Sequence, residues 1–166
     1  IAAVLCCSLL PSVQAASLPD VIDQVRPSIV GIGTAYPPRQ PNRQGDPVAY
    51  RGTGFEVGNG RLVVTKAHVI PEKLDVDNNQ SLAVFSGRGA KARAHPARVV
   101  RTDTEHDLAL LEIQGVTLPA LQLGDSEKVR EGQEIAFTGF PIGMVLGLYP
   151  VTHRGMVAAI TPMARP

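Results

Sequence analysis

From residue 28 to residue 160 the apolar residues come in short, β-branched runs, and no stretch sustains the 3.6-residue period of a core helix. The runs fall at 28–34, 54–57, 62–65, 81–86, 98–101, 107–113, 134–139 and 151–160. Gly58-Asn59-Gly60 between two of them is a hairpin turn signal. Residues 115–123 read as a connector and 37–47 as a polar, Pro-rich loop. Many short strands at close spacing predict an all-β chain built as antiparallel barrels or sandwiches. One helix is expected, over residues 17–26, where Leu18, Val21, Ile22 and Val25 share a face. Ser17 is placed to cap it, Pro19 fits its first turn and Pro27 ends it.

The first fifteen residues read differently. Residues 1–10 are apolar apart from Ser8, and Val13-Gln14-Ala15 has the small-x-small form of a signal-peptidase site. Residues 1–15 are therefore expected to be a signal peptide with a truncated start, since a Met and a basic leading region are missing. The run is too short for a membrane span. The protein is expected to be exported, to the periplasm or beyond. Both cysteines, Cys6 and Cys7, lie in this segment, so the mature chain would have no disulfide, thiolate nucleophile or Cys-based zinc site. Leu5 stands where a lipoprotein site wants a small residue before Cys6.

A net charge of +1 and the absence of Trp give no case for nucleic acid or an anionic membrane. Arg88, Lys91, Arg93, Arg98 and Arg101 form a basic stretch, read as the solvated face of a hairpin. His95, His106 and His153 are scattered without metal-ligand spacing, so no metal and no cofactor is expected.

Two segments carry chemistry. Thr65-Lys66-Ala67-His68-Val69 follows a β-branched strand directly, and Asp107 heads the apolar strand Leu108-Ala109-Leu110-Leu111. Nucleophilic catalysis by serine needs an imidazole held in one tautomer by a carboxylate. A lone His past a strand is most often a surface residue, and an Asp before a strand is most often a turn residue or cap. Their order narrows the choice, because of the three triad orders only the chymotrypsin type runs His, Asp, Ser. His106, as part of the same strand, would face away from Asp107 and is rejected as the base. Gly124-Asp125-Ser126 is a decoy for a nucleophile, since Glu127 and Lys128 follow where two glycines would be needed. Ser126 reads instead as the cap of a short turn over 127–130. Ser28, Ser81 and Ser86 fall in strands with no nucleophile elbow.

Gly52-Thr53-Gly54-Phe55, with Leu62-Val63-Val64-Thr65-Lys66-Ala67-His68-Val69, resembles the Gly-x-Gly strand and Thr-x-x-His-Val block of HtrA (DegP-like) trypsin-like serine proteases. Asp107-Leu108-Ala109-Leu110-Leu111 is similar to the Asp-[Ile/Leu]-Ala-Leu block of that family. Leu123-Gly124-Asp125-Ser126 with Val129-Arg130-Glu131-Gly132 resembles its interbarrel linker. Gly139-Phe140-Pro141-Ile142-Gly143 is similar to its Gly-Asn-Pro-Phe-Gly turn, with Phe140 in place of Asn, and Gly155-Met156-Val157-Ala158 to its Gly-Ile-Val-Ser strand.

The resemblance implies two antiparallel β-barrels of the chymotrypsin type. The first barrel would be complete over 28–122, after an N-terminal helix over 16–27. A linker over 123–132 would lead to a partial second barrel over 133–166. It also implies His68 as general base and Asp107 as its orienting acid. The nucleophile would lie in a Gly-Asn-Ser-Gly-Gly block beyond Pro166, and the chain as it stands is expected to be inactive. The implied activity is that of a serine endopeptidase on exported or misfolded polypeptides, without cofactor, in a full-length protein that assembles as a homo-oligomer, in this family often a trimer. The alternative is a trypsin-like domain that binds peptides without cleaving them.

Overall fold

The computed structural model describes residues 16–37, 48–141 and 147–161. The expected signal peptide with Cys6 and Cys7, most of the Pro-rich loop, and Ile142 and Gly143 lie outside the described residues.

Helix α1 spans Leu18–Val25. Ser17 caps it as expected, accepting from the Asp20 amide while Asp20 returns a bond to the Ser17 backbone, a reciprocal capping box. Pro27 does not stop the helical path at once. It falls early in a single 3₁₀ turn, Arg26–Ser28, where its missing N–H is no loss.

Strands β1 (Ile29–Ala35), β2 (Val48–Val57), β3 (Leu62–Lys66), β4 (Ser81–Ser86), β5 (Arg93–Asp103) and β6 (Leu108–Ile113) close into one antiparallel barrel in the order β1-β2-β3-β6-β5-β4. Val30, Ile32, Val63, Leu82, Val84, Leu111 and Ile113 fill its interior. Each such side chain stabilises the fold by about 1.5–3 kcal/mol relative to exposure. A second cluster joins Ile29, Ala83 and Phe85 of the barrel to Phe140 and Leu148.

β5 runs well past the expected 98–101 at both ends. It pairs with β4 through residues 93–96 and with β6 through residues 97–103, and its arginines point outward. Pro96 sits where the strand changes partner, so a ladder needs it on one side only. Arg88, Lys91, Arg93, Arg98 and Arg101 are all exposed on this hairpin, with Arg98 bonded to Glu112.

Strands β7 (Glu134–Gly139) and β8 (Val151–Met156) form a separate two-stranded antiparallel sheet. Ile135 and Phe137, which share one face of it, are 41% and 60% exposed, so that face carries apolar surface that the described residues leave open. Phe140, standing where the resembled turn has Asn, is buried and donates its backbone N–H to Thr53 Oγ1 at 2.8 Å, tying this sheet to the barrel. In the linker over 123–132, Asp125 rather than Ser126 caps the short turn, now Ser126–Lys128, by accepting from the Glu127 amide at 3.1 Å.

Glu56 is unexpected. It lies in β2 with no solvent exposure, and neither carboxyl oxygen has a hydrogen-bond partner among the described residues. Burial pushes its pKa up to about 7, with the Leu62 backbone pulling weakly the other way. An acid with a raised folded pKa binds more protons in the folded chain than in the unfolded one. The contribution of Glu56 is therefore best below its ordinary pKa and worsens as pH rises through 7. Between pH 5 and pH 8 the group should withdraw roughly 2–3 kcal/mol of stability. Glu56→Gln should flatten that slope in urea unfolding; a slope unchanged by the substitution would clear Glu56 as its source.

Candidate active site

The pairing of β3 with β6 builds the site. Lys66, the last residue of β3, lies opposite Leu108, the first of β6, so the residues just outside the two strands must meet. These are Ala67-His68 and Asp107. The Ala67 amide donates to the Asp107 carbonyl at 3.1 Å, one step beyond the ladder. His68 then sits in a single 3₁₀ turn, Ala67–Val69. Its backbone N–H donates to Asp107 Oδ1 at 3.0 Å, and its ring Nδ1 lies 2.7 Å from Asp107 Oδ2.

Asp107 precedes β6 in a turn over residues 104–107 and has φ +54°, the left-handed region that Asp tolerates better than most residues. That backbone state swings the carboxylate off the strand direction and toward His68. It also corrects the reason for setting His106 aside. Both residues are in the turn, so strand alternation does not separate them; His106 is instead engaged by another carboxylate, with Nδ1 2.9 Å from Asp103 Oδ2.

The His68 side chain is 71% exposed and that of Asp107 33%. Hydrogen bonding from the His68 amide, chiefly, then from its ring, and the nearby charges of His68 and Lys66 hold the Asp107 carboxyl below its ordinary pKa. The carboxylate therefore stays ionised, and available to the ring, as pH falls below the usual carboxylate range. Lys66 Nζ lies 3.7 Å from the oxygen that faces the imidazole. Sequence reasoning did not single out Lys66, and only the strand-end geometry brings it in.

Beside the pair is a cleft of about 640 Å³ between the Ile70–Lys73 segment and the turn bearing Thr104, with Arg51 also on its wall. Near the end of β3, buried Thr65 donates its hydroxyl to the Thr53 carbonyl of β2 at 2.8 Å. The other histidines have separate partners. His95 Nε2 is 2.7 Å from Ser86 Oγ, its pKa lowered by burial and then by Arg93, and His153 stacks on Phe137. Among the described residues no three metal-ligating groups come together, and no serine hydroxyl bonds to His68.

The sequence pattern of the family described as "Trypsin-like peptidase domain" matches residues 52–165, more than half of the chain. The chain belongs to the trypsin-like peptidase family. Its relatives are of the HtrA type. A protein of Marinomonas sp. (strain MWYL1) named "Probable periplasmic serine endoprotease DegP-like" is 34% identical over 128 residues, 75% of this chain and 24% of the relative. "Serine protease HTRA4" of Mus musculus is 32% identical over 140 residues, 81% of this chain and 27% of the relative. The chain thus spans about a quarter of the length of these relatives. Among solved structures, "HtrA-type protease AlgW with decapeptide" superposes with a TM-score of 0.65 at 20% identity, covering 87% of this chain and 46% of that one. This likeness shows the fold, a chymotrypsin-like arrangement with one closed six-stranded barrel and part of a second.

Proposed function

We propose that this chain carries the base-and-acid half of a serine endopeptidase acting on exported polypeptides, with His68 as general base and Asp107 as its orienting acid. The observation behind this reading is the two-point hold of one carboxylate on His68, at the backbone N–H and at Nδ1. With Nδ1–H donating to Asp107, Nε2 is left as the free acceptor, the tautomer a serine hydroxyl needs. The nucleophile would be a serine in a Gly-x-Ser-Gly-Gly block on the C-terminal side of Pro166.

Its Oγ attacks the scissile carbonyl carbon while His68 Nε2 takes the hydroxyl proton. Asp107 remains ionised and stabilises the imidazolium. The proton then passes to the leaving amine as the peptide bond breaks; water next attacks the acyl-enzyme while His68 Nε2 takes its proton, and His68 returns that proton to the serine oxygen as the acid product leaves. Backbone N–H groups beside the serine would stabilise the oxyanion. The names of the relatives support serine endopeptidase activity and a periplasmic location, and the decapeptide that accompanies the solved HtrA-type neighbour supports a polypeptide ligand.

The test is labelling of the folded full-length gene product with a fluorophosphonate probe. Covalent labelling of a single serine is the expected result. Folded protein that stays unlabelled while binding peptides would overturn the reading in favour of a binding-only relative.

A further inference from the structure

We infer that Arg51 is a positioning residue for His68, holding the trailing end of the turn that carries the imidazole as Asp107 holds its leading end; this rests on the reading of His68 as the base. The Ala67–Val69 turn has little to hold it from within. It is one 3₁₀ turn with no side-chain cap at its start, and its closing bond is Ile70 N–H to the Ala67 carbonyl at 3.0 Å. Single 3₁₀ turns have poor hydrogen-bond geometry, so the aim of the ring depends on what grips the turn from outside. Asp107 grips its leading end, at the amides of Ala67 and His68.

The trailing end is gripped by β2. Arg51 Nε donates to the Val69 carbonyl at 2.9 Å, one of the carbonyls a helix end leaves without an internal partner. The side chain of Val69, 6% exposed, rests against Gly52 so closely that a Cβ there would lie 2.6 Å from Val69 Cγ2. Arg51 and Gly52 thus hold the residue after His68 by its main chain and its side chain together.

The strand is shaped to do this. In the β1–β2 ladder Ile32 pairs with Gly52 and Gly33 with Tyr50, which leaves Arg51 as an extra residue between them. Such a bulge re-aims a side chain that a regular ladder would have directed elsewhere. The guanidinium supplies a fixed, in-plane N–H that the flexible ammonium of lysine does not reproduce.

The experiment compares Arg51→Met and Arg51→Lys with wild type in the full-length gene product, reading kcat and KM on a peptide substrate, thermal unfolding, and hydrogen exchange at the Ile70 amide. Misplacement of a base by about an ångström costs on the order of a hundredfold. Arg51→Met should therefore lower kcat roughly ten- to hundredfold with KM little changed, while Arg51→Lys recovers part of the loss. Ile70 exchange should quicken in both variants. An unchanged kcat, or a loss matched by the fraction of protein unfolded, would overturn the inference. If wild type itself neither cleaves nor labels, the reading of His68 as base has failed. Ile70 exchange then still decides whether Arg51 holds the turn, quickened exchange supporting it and unchanged exchange refuting it.

Discussion

If His68 is the base proposed above, His68→Ala is expected to lower kcat of the full-length gene product by about 10⁶, the scale seen when the base of a serine triad is removed. The fold should hardly notice. The side chain is 71% exposed, and the backbone N–H that reaches Asp107 Oδ1 survives the substitution. Exposed positions of this kind usually change stability by no more than about 0.5 kcal/mol. The two measurements, steady-state turnover and urea unfolding, should therefore separate completely. A variant that keeps its activity would remove His68 from the mechanism, and one that loses activity only in step with stability would make it structural.

Asp107→Asn is the second large effect, expected at about 10⁴ in kcat. Asn has the size of Asp and accepts the left-handed φ of +54° readily, so the turn should survive. What changes is the proton arrangement. An amide NH₂ facing Nδ1 donates where the carboxylate accepted, which forces the ring proton onto Nε2 and aims it at the serine. The 2.7 Å contact can persist in the wrong tautomer. Peptide turnover should collapse while thermal unfolding moves little. A variant within tenfold of wild type would show that Asp107 does not orient His68.

Much of this was legible in the residues, and the exceptions share a cause. β4 and β7 match the expected runs by composition, although only the apolar residues of β4 face a packed surface, Ile135 and Phe137 of β7 being exposed. β5 and the first half of β2 were underestimated. Arg, Tyr and Gly in those stretches carry no alternation, and the barrel's pairing decides their conformation. Glu56 shows the limit most clearly. In Gly54-Phe55-Glu56-Val57 the apolar residues alternate with Gly54 and Glu56, yet Gly54 and Glu56 are the buried pair. Asp107 was legible as a candidate by its place in an ordered set of blocks, but its left-handed backbone was not. Arg51 and Lys66 left no signal at all, since each acts through an element distant in sequence that only strand register brings near.

The barrel closes using residues 29–113 alone, and its strand ends place His68 against Asp107 with bonds made inside that span. Chains fold from the N-terminal side as they leave the ribosome or the export channel. The imidazole and its carboxylate can thus be set in place before any later segment has emerged. On the proposed reading, with the serine in a later segment, this order would leave the growing chain without its attacking group until that segment folds, so activity would report how far synthesis has gone.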